Sequence, residues 1–104
     1  MFCNDTLMMN KYILKNSTYI ESENCNERLD NIIVDTIILH CISLPEKEYD
    51  NNNVISFFTN KLNYDAHETF KDLEGLKVSS HLFIRRSGEV IQFVPFDKKA
   101  WHAG

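Results

Sequence analysis

Ten residues, Ile32-Ile33-Val34-Asp35-Thr36-Ile37-Ile38-Leu39-His40-Cys41, constrain this chain more than any others. They form an almost unbroken run of apolar and β-branched side chains that ends on a histidine. A run with no polar face predicts a central strand covered on both sides. A polar residue at the end of such a strand lies where α/β proteins usually keep their chemistry, which makes His40 the first candidate for a site. Successive strand side chains point to opposite faces, so Cys41 cannot simply pair with His40 and is expected to be buried and inert.

A chain of 104 residues with 43% hydrophobic and 25% charged content has room for one domain and a modest core around that strand. The formal net charge is -4 and the Lys and Arg residues are scattered. There is no basic footprint for nucleic acid or an anionic membrane surface, and a small-molecule or cationic partner is favoured. No stretch is apolar for long enough to span a bilayer, and Met1-Phe2-Cys3-Asn4-Asp5 lacks the pattern of a secretion signal, so a cytoplasmic location is expected. Cys3, Cys25 and Cys41 are irregularly spaced, and reduced thiols are expected.

Around the strand, residues 1–31 read as a polar, loosely ordered N-terminal arm with one short apolar patch at Tyr12-Ile13-Leu14. Residues 32–104 read as the domain proper. Ser43 to Asn53 is rich in turn formers and charge, and predicts a surface loop. Val54, Phe57, Phe58 and Leu62 fall at helical spacing behind Asn53 as a cap, and predict a short amphipathic helix from about Val54 to Leu62. A second helix is expected from Asp65, where Asp65 and Glu68 have capping-box spacing, with Gly75 as its stop.

His81-Leu82-Phe83-Ile84-Arg85-Arg86 and Glu89-Val90-Ile91-Gln92-Phe93-Val94 flank Ser87-Gly88 and predict a hairpin. A two-residue turn would pair Arg86 with Glu89, Ile84 with Ile91 and Leu82 with Phe93. One face would then be apolar. The other, carrying His81, Phe83, Arg85, Val90 and Gln92, would suit the floor of a site. The residues from Phe96 to Gly104 read as a loop bearing the only Trp, Trp101.

Of the four histidines, His40, His81 and His102 fall at strand ends or in loops that could converge, whereas His67 reads as a surface residue. Zinc hydrolysis needs about three protein ligands and an open position for water. The gaps between these histidines match no short metal motif. His40 therefore has two readings, a metal ligand or a hydrogen-bonded histidine at a strand end. Cys-His catalysis through Cys41 is the weaker rival, because His81 or His102 would have to reach the thiol from elsewhere. Trp101, in a polar loop, either stacks on a ligand or fills a gap in the core.

Several stretches taken together resemble one family: Ile38-Leu39-His40-Cys41-Ile42-Ser43-Leu44-Pro45, Phe57-Phe58-Thr59-Asn60, Asp65-Ala66-His67, the segment Gly75 to Arg86, and Gln92 through Trp101-His102-Ala103-Gly104. They are similar to the amino-terminal part of the zinc-dependent N-acetylmuramoyl-L-alanine amidases, in particular their cytosolic AmpD type, which acts on 1,6-anhydro-muropeptides. The resemblance runs in one register from about Ser22 to Gly104. It implies an α/β fold, a mixed β-sheet with flanking helices, and cleavage of the amide between N-acetylmuramic acid and L-alanine in peptidoglycan recycling. It also implies zinc as cofactor with His40 as first ligand, and a muropeptide contacted by Lys77, His81, Trp101 and His102.

Departures from the family pattern are Cys41 for the customary Asn, Ser80 for a usual Ala, Tyr64 and Glu68 where prolines are common, and Lys77 for the customary Arg, which keeps charge but loses the planar fork. The family's water-activating glutamate and remaining zinc ligands lie beyond the Trp-His-Ala-Gly stretch. No catalytic residue is therefore assigned here. The expectation is an incomplete, inactive copy of the domain, truncated on its C-terminal side, with a separate C-terminal fragment as a candidate partner. The alternatives are a non-catalytic muropeptide binder and a functionless remnant.

Overall fold

The computed structural model describes residues 11–102. Within them the chain builds five short strands, one α-helix and one 3-10 helix: β1 (Thr18–Tyr19), β2 (Cys25–Glu27), α1 (Asn53–Phe58), the 3-10 helix (Glu68–Leu73), β3 (Leu82–Ile84), β4 (Val90–Gln92) and β5 (Lys98–Ala100). β4 is central to a mixed sheet, parallel to β1 and antiparallel to β3, while β2 and β5 form a separate antiparallel ribbon. The mixed sheet and its covering helix agree with the α/β class expected from the sequence.

The core forms where α1 lies on β4. Val54, Phe57 and Phe58 of the helix, with Leu62 and Phe70, pack against Ile91, Phe93, Val94 and Ala100. Phe58 meets Phe93 edge-on with ring centroids 5.3 Å apart, the geometry that ring quadrupoles favour. The helical spacing located α1, but the helix begins at Asn53 behind Asn52 and ends at Phe58, so Leu62, expected at its end, packs on the core from the following loop. The second helix differs: it is a 3-10 segment capped by His67, whose ring nitrogen accepts from the backbone N–H of Thr69. Asp65 is thus not the cap, and His67 has a structural task at that helix start.

The hairpin forms one residue out of the expected register. Leu82 pairs with Gln92, Phe83 with Ile91 and Ile84 with Val90. Arg85 N–H donates to Glu89 O and Gly88 N–H to Arg85 O, each at 2.9 Å, so the loop is Arg86-Ser87-Gly88 rather than Ser87-Gly88 alone. Gly88 has φ +96, the left-handed conformation that three-residue hairpin loops place at their last position. This one-residue slip moves residues between faces. Ile84 is exposed, and the ion pair at the tip joins Arg85 to Glu89 at 3.0 Å instead of involving Arg86. Gln92, expected on a site floor, is fully buried. Its Oε1 accepts from Leu14 N–H at 2.6 Å, and its Nε2 donates to Tyr12 O and Val94 O.

Those bonds show what the polar arm does. Far from being loosely ordered, its described part supplies β1 and β2. Ser22 and Asn24 are buried, with Asn24 Nδ2 donating to Val78 O at 2.8 Å and to Asn60 Oδ1 at 2.9 Å. The first ten residues of the arm, Cys3 among them, lie outside the described part.

The opening stretch is the largest correction. Residues 32–41 belong to no strand, helix or turn, and the side chains are open to solvent: Ile33 is 82% exposed, Ile37 88% and Leu39 88%. Cys41, expected to be buried, is exposed as well. An apolar run becomes a buried strand only if neighbouring strands satisfy its backbone and other elements cover both faces. Among the described residues none does either.

Candidate functional site

The three histidines singled out from the sequence do converge. His40 closes the exposed apolar run, His102 follows β5, and His81 precedes β3. The rings of His40 and His102 stack with centroids 5.1 Å apart and planes 24° from parallel. The ring of His81 lies 6.3 Å from that of His102. Because β5 is held against β2 and Phe93 N–H bonds to His81 O at 2.9 Å, the two later histidines are set by the ladder and the hairpin. His40 is carried by the extended, irregular segment, and among the described residues its side chain makes no hydrogen bond beside the stack on His102.

The Nε2 of His81 lies 2.8 Å from Lys98 O, a carbonyl that can only accept, so Nε2 carries a proton. Arg28 Nη2 is 3.4 Å from the same nitrogen. Being a donor too, it forms no hydrogen bond there; it donates instead to Phe96 O at 3.2 Å. Around His102 the balance favours the neutral ring. Partial burial, followed by the neighbouring His40 and His81, holds its pKa below the ordinary imidazole value. A neutral imidazole keeps a lone pair for a proton or a metal ion.

The other expected site residues are spread around this cluster. Trp101 is adjacent in sequence to His102 and half-buried, with its indole Nε1 donating to Asn26 Oδ1 at 2.9 Å. Its backbone is clamped by Ser79: Ser79 N–H donates to Trp101 O at 2.7 Å, and Trp101 N–H donates to Ser79 Oγ at 3.1 Å. Lys77 sits exposed in the loop after Gly75 and makes no hydrogen bond or ion pair among the described residues. Phe83 and Arg85 stand beside the loop at Asn51, where Arg85 Nη1 donates to Asn51 O at 2.8 Å. They belong to a small 40 Å³ cleft with Tyr49 and Ile42.

Sequence reasoning missed Asn24, Asn26, Arg28 and Ser79. All are polar residues in stretches that look like loop. Hydropathy carries no trace of their roles, since those depend on partners far along the chain, as with Ser79 Oγ and Asn24 O (separation 55) or Asn26 Oδ1 and the Trp101 indole (separation 75).

A zinc ion would have to draw on this donor set. Among the described residues no group of three or more His, Cys, Asp or Glu side chains is placed to hold a metal ion. His40 and His102 present ring faces to each other, and the Nε2 of His81 is committed to Lys98 O. The described residues therefore offer imidazoles but do not by themselves compose the three-ligand centre that zinc hydrolysis uses.

Comparison with known proteins supplies the family. The family described as N-acetylmuramoyl-L-alanine amidase matches residues 30–104, a span that takes in His40, Lys77, His81, Trp101 and His102. The chain is 46% identical over 68 residues to the 1,6-anhydro-N-acetylmuramyl-L-alanine amidase AmpD of Escherichia coli (strain K12), covering 65% of this chain and 37% of that protein. With the AmpD of Haemophilus influenzae it shares 33% identity over 94 residues, covering 90% of this chain and 51% of that protein. Among solved structures, the crystal structure of a selenomethionine AmpD derivative superposes with a TM-score of 0.83 at 38% identity, covering 88% of this chain and 51% of that one. The solution structure of Citrobacter freundii AmpD gives 0.56 at 35% identity and covers 52% of its length. The matches thus span about a third to a half of these relatives.

Proposed function

The chain belongs to the N-acetylmuramoyl-L-alanine amidase family, and from that membership we propose that it carries part of a cytoplasmic amidase site for 1,6-anhydro-muropeptides, used in peptidoglycan recycling. The bond at issue is the amide between the lactyl group of N-acetylmuramic acid and L-alanine. The observation that carries this reading is the family match over residues 30–104, within which His40, His81 and His102 come together.

In this reading Trp101 lies under the sugar ring, Lys77 faces the peptide carboxylate, and His81 and His102 line the cleft. His40 is the first ligand for zinc, which in such sites polarises the scissile carbonyl and activates water. Since the described residues do not complete the ligand set, no step is assigned to the ion, and residues 1–104 alone are expected to be inactive. The further ligands then come from outside the described residues, with a separate C-terminal fragment as one source.

The test uses purified chain with zinc and an anhydro-muropeptide, with L-alanyl peptide release followed by mass spectrometry. The expected result is no release. Release that survives His40→Ala would remove His40 from the site. A second reading, a muropeptide binder without turnover, is favoured by the clamped Trp101 beside an incomplete ligand set. Calorimetry showing saturable binding without peptide release supports it.

A further inference from the structure

The register of the β2–β5 ribbon pairs Asn26 with Lys99 and so places Asn26 diagonally beside residue 101 on the same face. Its Oδ1 takes the indole Nε1–H of Trp101 at 2.9 Å. The backbone of Trp101 is fixed independently. Ser79 bonds both its N–H and its C=O, and Ser79 Oγ donates in turn to Asn24 O at 2.6 Å. Ser79 is 2% exposed and Asn24 0%, so this clamp is deep in the molecule. With the backbone held, the remaining freedom of Trp101 is rotation of the side chain, and Asn26 engages its single polar handle.

Asn26 has little to do for stability at this place. It is exposed, and a hydrogen bond between exposed groups exchanges with water at small net gain. Asn is also a poor strand former, yet it occupies the middle of β2. A residue that goes against local preference without evident structural return is expected where function asks for it.

We propose that Asn26 is a positioning residue for saccharide recognition, holding the Trp101 indole in one plane as a flat platform for a pyranose ring. This rests on the reading of Trp101 as the sugar contact. A ring already held in place loses less freedom when the ligand stacks, so the benefit appears as affinity.

Trp101 is the only tryptophan, so its emission and its single indole N–H resonance report this residue alone. In the full chain without ligand, Asn26→Ala shifts that resonance and speeds its exchange with solvent, whereas Asn26→Asp, which keeps an oxygen acceptor, retains the protection. Titration with 1,6-anhydro-N-acetylmuramic acid, followed by tryptophan emission, then gives binding about threefold to tenfold weaker in Asn26→Ala and within about twofold of the parent in Asn26→Asp. The thermal midpoint falls by a few degrees at most in Asn26→Ala, in step with the same lost bond, and stays unchanged in Asn26→Asp. An indole N–H that exchanges equally fast in parent and Asn26→Ala, or equal saccharide affinity in the two, overturns the proposal. Saccharide that leaves the parent's emission unaltered overturns instead the sugar-contact reading of Trp101, and the ligand-free exchange comparison still decides whether Asn26 holds the indole.

Discussion

Replacing Asn24 with Ala removes the side chain that ties the arm to the core. Asn24 is fully buried, and its Nδ2 donates to Val78 O at 2.8 Å, Asn60 Oδ1 at 2.9 Å and, more weakly, Phe58 O at 3.3 Å. Its Oδ1 accepts from Asn60 Nδ2 at 2.9 Å. Phe58 O keeps a second donor in Ser22 Oγ, and Asn60 is half-buried and can turn toward water. Val78 O is the group left without a replacement. The two lost bonds to Asn60 at about 1 kcal/mol each, plus the desolvation penalty of about 1–3 kcal/mol for the unsatisfied Val78 carbonyl, put the cost at about 3–5 kcal/mol. Against the roughly 5–15 kcal/mol that holds a domain together, that is a large fraction.

Urea unfolding followed by far-ultraviolet circular dichroism measures this cost from the midpoint at constant slope. Asn60→Ala is expected to be costly as well, because it leaves the buried Asn24 Oδ1 without its donor and places Ala on a backbone of φ +62. The Ser79 clamp uses the backbone carbonyl of Asn24, so the emission of Trp101 should survive the substitution. A loss below about 1 kcal/mol, with the slope unchanged, would show that water fills the vacated site and that the network does not anchor the arm.

Three further perturbations follow from the packing. Phe93→Ala empties a site of 0% exposure that Phe58 meets edge-on, with an expected loss of about 3–5 kcal/mol by the same urea assay; a loss under about 2 kcal/mol would mean the core collapses into the space. Gly88→Ala meets no atom within 4 Å but forces a side chain onto φ +96, so a purely backbone cost of about 1–2 kcal/mol is expected, and an unchanged melting temperature would contradict the three-residue loop. The double variant Ile37→Lys, Leu39→Lys replaces two side chains that are each 88% exposed. Binding of a hydrophobic dye should fall while the thermal midpoint stays constant, and a drop of several degrees would show that this strip is covered.

Much of the architecture can be read from the residues alone. Helical spacing placed α1, because a stripe of Val54, Phe57, Phe58 and Leu62 has one low-energy use. The hairpin was legible as a pair of strands, but its register was not. Ser87-Gly88 fits a two-residue turn and also the end of a three-residue loop, and only the pairing of Phe83 with Ile91 distinguishes them. The apolar run misled for a related reason. Its composition demands burial, but whether it is buried depends on elements that composition does not contain.

For the site, the sequence by itself determined which chemistry was at hand: imidazoles at His40, His81 and His102, one tryptophan, and motifs that identify the family. The tertiary structure decided how those groups are held. It brought the three rings together, placed a proton on Nε2 of His81 through Lys98 O, and gave Trp101 its partners in Asn26 and Ser79. Local pattern reflects local physics, in propensity, periodicity and turn chemistry. A hydrogen bond between residues 75 positions apart, as between Trp101 and Asn26, is created by the folded chain and leaves no mark on either neighbourhood.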